Sequence, residues 1–178
     1  QDPDRDPSQV SPIPQPGDIG FAHSNGIMGK AIRFGERLRW GVKPSHWNHA
    51  FIVDTVEHDG DEWVVTIIQA EPSGVTQGKR IETVGDYILV EPLPTHSRSD
   101  ILAFARAQVG SHYGWGSIVS NVLDILTPNW FPSFRSQDSW ICSALVAEAL
   151  RYGGWLQDWG DIYIVTPAQL FSAYTVTP

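Results

Sequence analysis

The chain has 178 residues, 42% of them hydrophobic, and a formal net charge of -8, which is enough for one domain with its own core and too little to expect two. An acidic surface repels phosphate backbones, so nucleic acid and anionic membrane surfaces are set aside as partners and neutral or cationic substrates are favoured. No run approaches the roughly 18 apolar residues of a membrane span, and a single cysteine excludes a disulfide framework and any multi-cysteine metal site.

Residues 1–16 repeat proline without apolar periodicity and read as a flexible tail, which leaves 17–178 as the domain. Gly17 opens "GDIGFA", a short strand. Ile27, Met28, Ala31, Ile32 and Leu38 then recur at helical spacing, predicting a covering helix. "WNHAFIVDTV" and "EWVVTIIQAE" are β-branched runs separated by "EHDGD", whose Asp59-Gly60 pair signals a hairpin. A further strand is expected at "YILVEPL", ended by Pro92 and Pro94, and a capped helix at "SRSDILAFARAQVG". Beyond it come a glycine-punctuated loop "SHYGWGS", a short helix "IVSNVLDIL", an aromatic loop and the helix "DSWICSALVAEALR", closed by Gly153-Gly154. A last strand "IYIV" and a terminal helix with Pro167 in its first turn complete the pattern. Strands forming hairpins with helices segregated around them define an α+β fold with a small antiparallel sheet.

The only cysteine, Cys142, falls in the first turn of its helix if Asp138 or Ser139 is the N-cap. Unpaired N–H groups and the helix dipole favour a thiolate there. An ordinary thiol with a pKa near 8.5 is only about 3% ionised at pH 7, whereas one near 6 is roughly 90% ionised. The alternative is a small core residue beside Ala144 and Leu145, since free cysteines are commonly buried. Asp138 nearby would oppose ionisation, so a reactive Cys142 needs an imidazole partner.

Of six histidines, His58 lies in the hairpin turn and His96 in a proline-bounded loop, where solvated roles are expected. His49 instead heads an apolar strand on the face of Phe51 and Val53. A base in that position needs a polar residue to orient its second ring nitrogen, and the hairpin register decides which one is available. A tip at Asp59, Gly60 and Asp61 sets His49 opposite Glu71. A tip one residue earlier sets it opposite Gln69, and a strict Asp59-Gly60 turn sets it opposite Ala70, which could orient nothing. Glu71 could equally be a turn residue ahead of Pro72-Ser73-Gly74. His46 and His49, three apart in extended chain, point to opposite faces and make no zinc pair, so no metal or other cofactor is called for.

Taken in order, "WNHAFIV", "IQAEPSGV", "WICSALVAEALR" and "VTPAQLF" resemble the circularly permuted papain-like cysteine hydrolases, the YiiX and lecithin-retinol-acyltransferase-like branch of the NlpC/P60 superfamily. The order of histidine, acidic residue and cysteine is that of the permuted branch. The resemblance implies a permuted papain-like architecture with Cys142 as nucleophile, His49 as base and Glu71 as third residue. It also implies a carbonyl-polarising role for Tyr113 in "GSHYGWGS". The activity implied is that of a cysteine peptidase or amidase, with cell-wall peptides or other isopeptide bonds as substrates. Acyl transfer or thioester hydrolysis on lipid-like acyl groups is the competing activity within the branch, and a noncatalytic binding module is a third possibility. Trp40, Trp47, Trp115 and Trp130 are candidates for lining a substrate cleft or for ordinary packing, and the arginines of 33–39 for holding a carboxylate or facing solvent.

Overall fold

The computed structural model describes residues 13–23, 47–60, 62–113, 139–160, 162 and 165–176. The expected helix of 25–40, the short helix and aromatic loop of 118–137, His46, Trp40, Trp115, Trp130 and Asp138 lie outside them. The fold is α+β. Its five-stranded antiparallel sheet comprises β1 (Ile19–His23), β2 (His49–Asp59), β3 (Glu62–Glu71), β4 (Gly74–Arg80) and β5 (Asp86–Val90), in the spatial order β4-β3-β2-β1-β5. Three helices follow among the described residues: α1 (Arg98–Ala107), α2 (Cys142–Tyr152) and α3 (Pro167–Val176). A two-residue parallel pair, β6 (His112–Tyr113) with β7 (Ser139–Trp140), immediately precedes α2. None of the described helices is long and apolar enough to cross a membrane.

Alternation along the strands divides the core in two. Ile19, Phe21, Ala50, Ile52, Ile68, Ala70, Ile88 and Val90 face the helices and pack with Ile101, Ala105, Leu145, Leu150, Leu170 and Tyr174. Ala22, Phe51, Val53, Val65, Ile67 and Leu89 form a second cluster on the other face, closed by Ile81 and Val84 of a 3-10 turn. Each fully buried aliphatic or aromatic side chain in these layers contributes on the order of 1.5–3 kcal/mol relative to exposure.

Helix boundaries follow local chemistry. Ser97 caps α1 by accepting the Asp100 N–H. At α3, Thr166 Oγ1 accepts the Gln169 N–H at 3.2 Å and Gln169 Oε1 accepts the Thr166 N–H at 3.0 Å, a reciprocal capping box just ahead of Pro167. Helix α2 differs from expectation. Its N-cap is Ile141, without a side-chain cap, and Ser139 belongs to β7. Cys142 is therefore the first helical residue.

Three further differences follow. Strand β4 carries no strand pattern in the sequence, because Val75 is its one buried large apolar residue and Gly78, with φ +84, interrupts it where its register with β3 shifts. Of the expected last strand, Ile162 and Val165 are described and neither is in a strand. Residues 15 and 16 of the expected tail are tied to the domain: Gln15 N donates to Asp18 Oδ2 at 2.8 Å, and Arg98 Nη1 donates both to Pro16 O and, at 2.6 Å, to Asp18 Oδ1.

The hairpin turn lies between Asp59 and Glu62, which pair directly. Continued unbroken, that register would set His49 opposite Pro72. A bulge at Asp54 intervenes: Thr55 pairs with Thr66 but Val53 pairs with Ile67 and Ile52 with Ile68. Carrying the corrected count three residues further places Glu71 across from His49 and Gln69 on the diagonal, both on one face. Asp54 is buried at 2% exposure and accepts from Arg106 Nε at 2.7 Å and Gln77 Nε2 at 2.8 Å, which fixes the bulge from α1 and from β4.

Candidate active site

Two chain segments converge on Cys142. Helix α2 begins beside the first residues of β2, so the buried Cys142 side chain lies close enough to the His49 imidazole, and to the backbone of Ala50 and Ser143, for each to act on its ionisation. Ala50 faces the helices, whereas His49 lies on the other side with its ring 6.4 Å from that of Phe51. Only at the end of the strand can one thiol meet both. N–H groups of the first helical turn have no acceptor within the helix, so those of Cys142 and its successors are donors for an anion at this point.

His49 Nε2 donates to Gln69 Oε1 at 2.6 Å. That leaves Nδ1 as the nitrogen facing Cys142, the tautomer in which a neutral imidazole can accept the thiol proton. Gln69 is buried at 4% exposure and has its own partner, its Nε2 donating to Glu71 Oε2 at 3.3 Å. Glu71 in turn is clamped by Lys79, whose Nζ is 2.7 Å from both carboxylate oxygens, and by the hydroxyls of Ser73 and Thr76. The polar chain thus runs from Cys142 through His49, Gln69 and Glu71 to Lys79.

The electrostatics of the pair are mutual. Burial pushes the Cys142 thiol up, but the hydrogen bond and charge attraction of His49, with the amides of Ala50 and Ser143, outweigh it and hold the thiol below its ordinary value. Burial likewise pushes His49 down, and its interactions with Cys142, Gln69 and the Glu71 charge outweigh that and raise it. Glu71 lies below the usual carboxylate range: its partial burial is outweighed by Lys79, Ser73 and Thr76. Each member of the pair thus favours the charged form of the other.

The sequence-derived residues fall as follows. Cys142 and His49 are in contact. Glu71 is in the network, yet its carboxylate meets the Gln69 amide, and the residue on the His49 ring is Gln69. Lys79, on β4, carries no sequence signal beyond its charge. Tyr113 has its backbone on β6, paired with Trp140 two residues before Cys142. Trp47 is 7% exposed in the core, its ring 5.9 Å from that of Phe171, which is the packing alternative rather than a cleft wall. His58 packs edge-on against Trp63, and His96 stacks on Tyr174, each away from this site. No cluster of three or more His, Cys, Asp or Glu side chains suited to a metal occurs among the described residues.

No family model and no curated protein matches the chain.

Proposed function

We propose that the chain is a cysteine hydrolase of the amidase or peptidase type, built on the permuted papain-like architecture that its motifs resemble. The observation that carries this reading is the contact of Cys142 at the first position of a helix with a His49 whose other ring nitrogen is held by Gln69. A buried structural cysteine has no need of an oriented imidazole or of converging backbone donors.

In the proposed reaction the Cys142 thiolate attacks an amide carbonyl carbon, and the oxygen takes up negative charge against the N–H of Cys142 at the helix terminus. His49 Nδ1 gives its proton to the leaving amine as the C–N bond breaks, which leaves an acyl thioester on Cys142. Neutral His49 then takes a proton from water as the water oxygen attacks the thioester. Collapse expels the thiolate and releases the acid. Gln69 keeps the ring in place throughout, accepting from Nε2–H in both protonation states of the base. No cofactor takes part in this scheme.

Peptidoglycan-derived peptides and acyl thioesters, offered in parallel to the purified chain, test the proposal. Hydrolysis of amide bonds that Cys142→Ala abolishes is the expected result. Turnover of thioesters alone, or transfer of the acyl group to a second acceptor, replaces the amidase reading with the acyl-transfer one. A wild-type chain inert to both sets, with a Cys142 that alkylates as an ordinary thiol, removes the hydrolase reading.

A further inference from the structure

We propose that Glu71 is a positioning residue for His49 that acts through Gln69, its carboxylate deciding which end of the Gln69 amide faces the imidazole. This rests on the cysteine-hydrolase reading above and specifies how its base is kept in the productive tautomer.

A glutamine amide has two nearly isosteric ends of opposite character, one a pure acceptor and the other a double donor. Presented with Oε1, His49 keeps its proton on Nε2 and exposes a basic Nδ1 to the thiol. Presented with Nε2, the ring would have to accept there, its proton would move to Nδ1, and the base would be silenced toward Cys142. The imidazolium would also face a donor and lose its support. An unassisted glutamine therefore makes an ambiguous orienter.

Glu71 removes the ambiguity. An ionised carboxylate only accepts, so the end of Gln69 facing it must be the donor: Nε2 lies 3.3 Å from Glu71 Oε2, and Oε1 is left at 2.6 Å from His49 Nε2. The carboxylate is fixed by Lys79 Nζ at 2.7 Å, Ser73 Oγ at 2.9 Å and Thr76 Oγ1 at 3.4 Å, and these neighbours hold it in its charged form. Its side chain is 19% exposed and that of Lys79 47%, so the pair spans the boundary between the site and solvent. The β3–β4 hairpin, with Pro72 and Ser73 between paired Glu71 and Gly74, keeps these groups on one short stretch of chain.

The test uses the full chain and follows iodoacetamide alkylation of Cys142 against pH, which needs no substrate. Glu71→Gln is expected to raise the alkylation midpoint by about 0.5–1 in pH, a roughly three- to tenfold slower reaction on the acid limb. Glu71→Asp retains the charge but withdraws it from Gln69, and is expected to do the same. Gln69→Ala raises the midpoint as well, and Gln69→Ala combined with Glu71→Gln raises it no further than Gln69→Ala alone, since the effect passes through Gln69. Thermal melts verify that each variant is folded. An unchanged midpoint in Glu71→Gln, an unchanged midpoint in Glu71→Asp, or additive shifts in the double variant would overturn the proposal while leaving the hydrolase reading in place, provided His49→Ala still raises the midpoint. If His49→Ala leaves the profile unmoved, the catalytic pair itself fails, and this proposal with it.

Discussion

Arg106 on α1 reaches the bulged residue of β2, its Nε 2.7 Å from Asp54 Oδ1 and its Nη2 3.3 Å from the Asp54 carbonyl oxygen. Through that contact a helix 52 residues away in sequence holds the extra residue that brings Gln69 and Glu71 to the side of His49. The two partners are unequally buried, with side-chain exposures of 48% for Arg106 and 2% for Asp54.

The inequality predicts an asymmetric response. Arg106→Leu strands a buried carboxylate with Gln77 as its remaining side-chain partner and is expected to cost about 2–3 kcal/mol, whereas Asp54→Asn leaves an arginine that water can solvate and costs about 1 kcal/mol. Urea unfolding of both variants measures the difference. Equal losses would mean that the bulge is held by the strands themselves.

Cys142→Ala is expected to abolish turnover of any substrate the wild type cleaves while costing on the order of 1 kcal/mol in stability, because one buried sulfur is lost from an otherwise unchanged layer. Activity assays beside a thermal melt check both halves. Retained activity would exclude Cys142 as the nucleophile.

The Cys142–His49 pair gives a pH signature. Cys142 lies below its ordinary value, so its ionisation stabilises the fold above the unfolded thiol value and that contribution is lost as pH falls through the folded one. His49 lies above its ordinary value, so its protonation stabilises the fold below the unfolded imidazole value and is lost as pH rises through the folded one. The stability difference between wild type and a His49→Ala, Cys142→Ala double variant is therefore expected to carry two opposed slopes, one from the thiol that rises with pH and one from the imidazole that falls with it. Urea unfolding of both chains across pH measures the difference, and one that is independent of pH throughout would show that the fold shifts neither group.

Gly20 is the fourth test. A Cβ there would fall 2.0 Å from ring atoms of Phe51, and Phe51 is both a fully buried member of the second core cluster and the ring beside His49. Gly20→Ala is expected to destabilise by about 1–3 kcal/mol through forced repacking and to alter the alkylation profile of Cys142 as well. Denaturation and alkylation on the same sample decide it; loss of stability with an unaltered profile would show that Phe51 does not steady the imidazole.

What the sequence by itself determined is the set of elements whose causes are local. The alternating β-branched runs around Asp59-Gly60 form the hairpin, Ser97 caps α1, Thr166-Pro167 opens α3, and the apolar run after Cys142 is a helix, because each rests on residues within a turn or a strand of one another. Cys142 and His49 could be singled out for the same reason, each being a chemically distinctive residue at the start of a regular element. Which residue touches the second nitrogen of His49 could not be read this way. Turn length alone would have put Pro72 opposite His49, and the bulge that restores Glu71 and Gln69 depends on a buried Asp54 meeting Arg106 and Gln77 from other elements. The choice of Gln69 for the ring and Glu71 for the amide followed from Lys79 on β4, a strand whose glycine bulge hides its period. Register is set by packing and buried charge across the whole fold, so only the tertiary structure could decide it.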